Sequence, residues 1–233
     1  MSELVRYELE GGIATLTMDD GKANALSPQM QAAINAALDR AEADKATVIL
    51  TGRPGKFCAG FDLGIISAAG APARDMLMGG FTLAARLLAY PRPVVIACSG
   101  HGLAMGAFLL LSGDYRIGVA GDFKIGANEV AIGMTMPWTA IEICRPRIAN
   151  EYLNRVVINA EIFNPEGAVA AGFLDRVVPP EQLAAAARET ALAMGKLNMA
   201  AFAATKQRLR AESLEAVKAG MERDDVGFRE WLG

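Results

Sequence analysis

Twice in this chain a short apolar run ends in a glycine-bearing loop. Thr47 to Thr51 leads through Gly52-Arg53-Pro54-Gly55 to Cys58-Ala59-Gly60-Phe61-Asp62, and Val94 to Cys98 leads to Ser99-Gly100-His101-Gly102-Leu103-Ala104-Met105-Gly106. Runs of this kind bounded by turn residues read as buried strands, and the loop after each carries backbone N–H groups that no ladder claims. Paired donors of that sort can hold one oxygen that gains negative charge in a reaction, where a preorganised donor is worth about 2.7–4 kcal/mol. A single carboxylate, Glu129, stands in an otherwise uncharged stretch. Together these features suggest enolate chemistry on an activated carbonyl.

The rest of the chain places those loops in an α/β framework. Leu4 to Leu9 and Ile13 to Met18 alternate apolar and polar residues around Gly11-Gly12, a hairpin pattern. Ser27-Pro28 is a helix cap followed by proline at the first helical position, and Met30, Ile34, Leu38 and Ala41 give Pro28 to Ala43 one inward face. A helix around Met76 to Tyr90, stopped by Pro91-Arg92-Pro93, precedes strand Val94 to Cys98. A helix from Met105 to Leu111 and strand Tyr115 to Val119 follow the second loop. Strands alternating with helices favour an α/β sheet. After about Asn150 strand signals nearly vanish, and helices are expected at Glu151 to Val157, Pro165 to Ala171, Pro180 to Lys196 and Ala200 to Met221. So apolar a tail must pack on the sheet or on neighbouring subunits.

Composition narrows the function classes. With 233 residues, 52% of them hydrophobic, one main domain with a sizeable core is the default. The net charge of −3 argues against a nucleic-acid partner. The one basic cluster, Lys206-Gln207-Arg208-Leu209-Arg210, reads as a solvated helix face, with a phosphate contact as the alternative. Cys58, Cys98 and Cys144 are too scattered for a disulfide framework or, with His101 the only histidine, for a zinc site. Free thiols and an N-terminus without a signal-peptide core lead us to expect a cytoplasmic protein. The uncharged window Pro93 to Gly113 reads as strand, loop and buried helix rather than as a membrane span.

Seven stretches in order resemble the crotonase, or enoyl-CoA hydratase/isomerase, superfamily from about Val5 onward. They are Asn24-Ala25-Leu26-Ser27, Phe57 to Leu63, Pro93 to Ala97, Gly100 to Gly106, Asp114-Tyr115-Arg116-Ile117, Asn128-Glu129 through Gly133 to Pro137, and Ala170 to Val178. The resemblance implies a spiral of ββα units, with residues 1–178 as the acyl-CoA-binding and catalytic core and a helical C-terminal region, 179–233. It also implies assembly into trimers or dimers of trimers, an acyl-CoA thioester substrate, and no cofactor beyond the coenzyme A that the substrate carries. Residue by residue, it assigns the oxyanion donors to the backbone N–H groups of Ala59 and Met105 and the catalytic carboxylate to Glu129. Ala59, Gly60, Phe61, Asp62, Leu63 and Met105 would meet the substrate.

One departure from the family pattern matters. Hydratases of this superfamily carry a second glutamate on the helix after the second loop, and here Phe108 stands in that place. Moving a proton between C2 and C4 of an enoyl thioester needs only one shuttle. The spacing Asn128-Glu129-x3-Gly133-x3-Pro137-Trp138 and the Asp-Tyr-Arg-Ile strand resemble the mitochondrial-type Δ3-Δ2-enoyl-CoA isomerases more closely than the hydratases. The expected activity is therefore enoyl-CoA isomerisation. The alternatives are hydration with Glu129 as the only acid/base and a non-catalytic acyl-CoA-binding homologue. A Cys58–His101 nucleophile pair would need an accessible, electropositive thiol, and nothing charged flanks Cys58 nearer than Lys56 and Asp62. We expect a buried thiol and a partly exposed loop histidine. Met76, Met78, Met134, Met136 and Trp138 either line an adaptable acyl pocket or pack in the core.

Overall fold

Gly11 and Gly12 both take positive φ and close a two-residue hairpin between β1 (Val5–Glu10) and β2 (Ile13–Met18), paired from Val5 opposite Met18 to Glu10 opposite Ile13. The structure is a computed structural model that describes residues 3–232. After β2, Ser27 caps α1 (Pro28–Ala43) by accepting the Met30 N–H, as expected. Then come β3 (Thr47–Gly52), β4 (Gly55–Cys58), α2 (Leu63–Ala68), α3 (Gly70–Ala89), β5 (Val94–Cys98), β6 (Gly100–Leu103) and α4 (Met105–Ser112). The chain continues through β7 (Tyr115–Val119), β8 (Ile125–Gly126), a 3-10 turn at Val130–Ile132, α5 (Trp138–Cys144), α6 (Asn150–Val157) and α7 (Pro165–Ala171). It finishes with β9 (Arg176–Val178), α8 (Leu183–Gly195) and α9 (Met199–Leu232).

The strands sort into a six-stranded sheet, β1-β2-β3-β5-β7-β9, and a small one, β4-β6-β8. Each turn of the chain lays one strand in the large sheet and the next in the small one before a helix returns it, so the ββα spiral expected of an α/β crotonase-type fold is present. Every pairing beyond the first hairpin in these sheets is parallel. Side chains alternate across the large sheet. Leu16, Val48, Leu50, Val94 and Ile96 face the main core, whereas Ile49, Val95, Ala97, Ile117 and Val119 meet Leu183, Ala187 and Ala191 of α8 on the other face. The apolar tail therefore packs on its own chain, α8 against β3, β5 and β7, and α9 against α3 and α5. Among the described residues no helix is long and apolar enough to cross a membrane.

Three readings need correction. The small sheet was read as loop because Gly-His-Gly-Leu and its neighbours lack an apolar alternation. The helix expected at Met76 begins at Gly70, and the one expected to end at Met221 runs to Leu232. The basic cluster is not a solvated face either. Lys206 and Arg210 are buried and converge on the equally shielded Asp114 carboxylate, at 2.8 and 2.9 Å, while Gln207, Arg208 and Leu209 between them are exposed. Burial pulls the Lys206 ammonium down to about 8 even though Asp114 opposes the shift. Nearby, Arg116 holds both oxygens of Asp175 at 2.6 and 2.9 Å and donates to the Gly172 carbonyl, so the Asp114 to Ile117 and Ala170 to Val178 stretches are fastened to each other. Removing one partner of a buried pair strands the other charge at a cost of about 3–5 kcal/mol. Asp114→Ala should accordingly lower the urea-unfolding free energy by about 3–5 kcal/mol. A loss below about 1 kcal/mol, the range of exposed pairs, would show that water reaches the cluster.

Candidate active site

The first loop is shaped by a neighbour that local sequence does not reveal. Asn24, buried with φ +54, donates from its amide to the carbonyls of Met18, Lys56 and Phe57 and so lays Ala23 to Leu26 alongside β4. In that arrangement the Ala59 N–H donates to the Ala23 carbonyl at 3.1 Å, and Leu26 N–H donates to the Gly60 carbonyl at 2.8 Å. Ala59 lines the cavity, but its amide is occupied. Gly60 then turns the chain with φ +98, and the Phe61 N–H beyond it meets no acceptor among the described residues. The Gly60 N–H is equally free, but of the two residues only Phe61 lines the cavity, so the candidate donor of this loop lies two residues later than expected.

The second loop delivers the start of α4. Ala104, at φ +50, donates to the Gly126 carbonyl and provides no side-chain cap, so the N–H groups of Met105 and Gly106 open the helix unpaired. Every residue of α4 is buried, which puts the positive end of its dipole inside the protein. The two loops touch. A Cβ on Gly60 would lie 2.8 Å from Ala104 Cβ and 3.6 Å from the Met105 nitrogen, and a Cβ on Gly106 would lie 2.2 Å from the Cys58 carbonyl oxygen. Met105 itself points into the core with no exposure, so only its backbone can serve the site.

Glu129 sits between β8 and the 3-10 turn, 5% exposed, with Oε2 making no hydrogen bond. Burial pushes its carboxyl from 4.5 to about 7. It lines a cavity of about 110 Å3 together with Ala59, Phe61, Ala104 and Phe108. Glu129 is the only ionisable side chain on that wall, and Asn128, whose Oδ1 also lacks a partner, is the only other polar one. The Phe61, Phe81 and Phe108 rings stack along one side at 6.1 and 6.3 Å, Phe61 seated over Gly80, where a Cβ would come within 2.4 Å of the ring. One basic carboxylate in an apolar chamber can relay a proton, and the free N–H of Phe61 on its wall and that of Met105 next to Ala104 are donors that an oxyanion could use.

The other expected residues divide. Leu63 stands at the rim, 65% exposed, and Asp62 spends its carboxylate on capping α2 through the Gly64 and Ile65 N–H groups. Met134 lines the cavity. Met76 is core, and Met136 and Trp138 border a separate hollow. Cys58 is fully buried with its thiol pushed up to about 12, and His101 accepts the Lys124 N–H on Nδ1, so neither offers a nucleophile pair. Leu77, Phe81 and Phe228 complete the wall without having been foreseen. The i,i+3 aromatic pair Phe228–Trp231 was the only local hint of the last.

The raised Glu129 value has a stability signature. The group is neutral in both states below about 4.5 and charged in both above about 7, so native stability falls as pH rises through that window. The penalty amounts to about 3 kcal/mol. Glu129→Gln cannot ionise. Its stability relative to the parent should rise by about 3 kcal/mol between about pH 4 and about pH 8 in urea titrations. A pH-independent difference would mean the carboxyl is hydrated.

Comparison with known proteins bears on the fold and the family. Residues 8–231 match the family described as enoyl-CoA hydratase/isomerase. An enoyl-CoA hydratase/isomerase family protein of Pseudomonas syringae superposes with a TM-score of 0.94 at 51% identity, covering 95% of this chain and 96% of that one. A Mycobacterium tuberculosis protein, described as an enoyl-CoA isomerase in one structure and as a probable enoyl-CoA hydratase in another, gives TM-scores of 0.93 and 0.94 at 48% and 47% identity, covering 97% and 98% of this chain and 99% and 98% of that one. A putative enoyl-CoA hydratase of Thermus thermophilus is 31% identical, covering 94% of this chain and 86% of its own length. The names of these relatives divide between hydratase and isomerase, but fold, loops and carboxylate point one way: this chain belongs to the enoyl-CoA hydratase/isomerase family.

Proposed function

We propose that the protein is a Δ3-Δ2-enoyl-CoA isomerase. The observation that carries this reading is the solitary carboxyl of Glu129 in a cavity whose lining includes the aromatic ring of Phe108. A 3-enoyl thioester places C2 between the carbonyl and the double bond, which makes that carbon acidic. The Glu129 carboxylate removes a C2 proton, and the electron pair moves onto the thioester oxygen, held by the N–H groups of Phe61 and Met105. As the carbonyl reforms, the double bond shifts from C3–C4 to C2–C3 and the same carboxyl returns the proton at C4. Each oxyanion donor contributes about 2.7–4 kcal/mol to that enolate. A carboxyl poised near neutrality can both take and give the proton. Ring atoms at Phe108 keep water from the face of the double bond where a hydratase must deliver it.

Incubating the protein with 3-enoyl-CoA and 2-enoyl-CoA in turn, and identifying the products, tests this reading. Isomerisation should exceed hydration by about 10²–10⁴-fold, the range that one positioned acid or base commands. Comparable rates would refute the assignment. Glu129→Gln should lose about 10²–10⁴-fold in kcat while acyl-CoA binding stays within a few-fold. Retained turnover would place the base elsewhere.

A further inference from the structure

α9 does more than close the chain. Its Asp224, 4% exposed, reaches across to the start of α5 and accepts the Trp138 N–H at 2.9 Å, the Thr139 N–H at 2.8 Å and the Thr139 hydroxyl at 2.6 Å. Pro137 provides no side-chain cap there, so a neighbouring helix supplies it. One turn before, Gly220 lets the backbones meet, since a Cβ would come within 2.9 Å of the Thr139 nitrogen. One turn after, at i+4 and on the same helix face, is Phe228. Its ring, 7% exposed, forms a wall of the chamber that holds Glu129.

Behind that wall lies a second hollow of about 410 Å3, bordered by Met136, Trp138 and Trp231, with Thr135, Arg223 and the capping Asp224 as its polar residues and Arg223 lying over the Trp138 ring. Met134, Pro137 and Phe228 line both spaces. Pro137 is fixed in the backbone turn into α5 and Met134 is a flexible side chain, which leaves Phe228 as the rigid side chain of the partition that a substitution can remove. The inner space measures about 110 Å3, about a quarter of the outer one.

We infer that Phe228, held in register by the Asp224 cap on α5, is the stop that limits this enzyme to short acyl chains, and that the outer hollow is an acyl site closed off by that one ring. The inference rests on the acyl-CoA reading above. It extends that reading by naming the substrate class and the residue that sets it.

The test compares the parent with Phe228→Ala on 3-hexenoyl-, 3-octenoyl- and 3-dodecenoyl-CoA, and measures binding of saturated hexanoyl- and dodecanoyl-CoA by calorimetry. A pocket that rejects a methylene discriminates by about 10–200-fold. In the parent, kcat/KM and affinity should therefore fall at least about tenfold from the six-carbon to the twelve-carbon thioester. In Phe228→Ala that ratio should shrink or invert by at least about tenfold. The chain's two tryptophans, Trp138 and Trp231, both border the outer hollow, so dodecanoyl-CoA should change the emission of the variant and leave that of the parent unaltered. Identical chain-length profiles in parent and variant would overturn the inference. If Phe228→Ala does not fold, Phe228→Leu decides the matter, with a shift in the same direction expected and an unmoved profile again refuting it. A parent that isomerises none of the thioesters would remove the isomerase reading alone, because the binding and emission measurements still show whether the ring stops the chain.

Discussion

At the mouth of the site, where the loops after β4 and β6 run against each other, there is no space for side chains. A Cβ on Gly106 would overlap the Cys58 carbonyl oxygen at 2.2 Å, and one on Gly60 would press on Ala104 at 2.8 Å. That backbone-to-backbone approach sets the amide after Gly60, on the chamber wall, close to the start of α4. It also fixes the direction of α4, whose residues then fill the core between the two sheets. Loosening the contact would separate the donors and hollow out the core together, because packed interiors do not deform continuously.

The chemistry follows from what this packing excludes. A carboxyl ringed by Phe61, Phe81, Phe108 and Ile132 has lost most of its hydration and is a far stronger base than an exposed glutamate. Other charges are kept away by being paired elsewhere. Asp114 is held by Lys206 and Arg210, and Asp175 by Arg116, and none of these residues lines the chamber. Several stretches that mark the family are fasteners of this kind. Asn24, Arg116 and Asp175 touch no part of the chamber and instead join segments distant in sequence.

The C-terminal helix unites two roles. Resting on α3 and α5, it buries apolar surface of its own chain, and through Asp224 and Phe228 it caps one helix and walls the chamber. The region 179–233, expected to serve assembly, thereby supplies part of the site. A change in the final turns of α9 reaches the chamber without touching the Glu129 carboxyl.

Much of the framework was legible because it is written in local periodicity. The Gly11-Gly12 hairpin, the Ser27-capped helix, the apolar strands at Thr47, Val94 and Tyr115, and the isolation of Glu129 each depend on residues within a few positions of one another. The small sheet was not legible, since two- to four-residue strands rich in glycine carry no alternation and form only where neighbouring turns of the spiral pair them. Nor could sequence tell that Ala59 spends its amide on Ala23 while Phe61 keeps its own free, because hydrogen-bond occupancy depends on which distant segment lies alongside. The same limit hid the inward turn of Lys206 and Arg210 and the reach of Asp224 to Thr139. Side-chain pattern belongs to the chain itself, so the sequence determined the elements and the lone base. Partnership across space belongs to the folded state, so only the tertiary structure decided which amides face the chamber and which ring closes it.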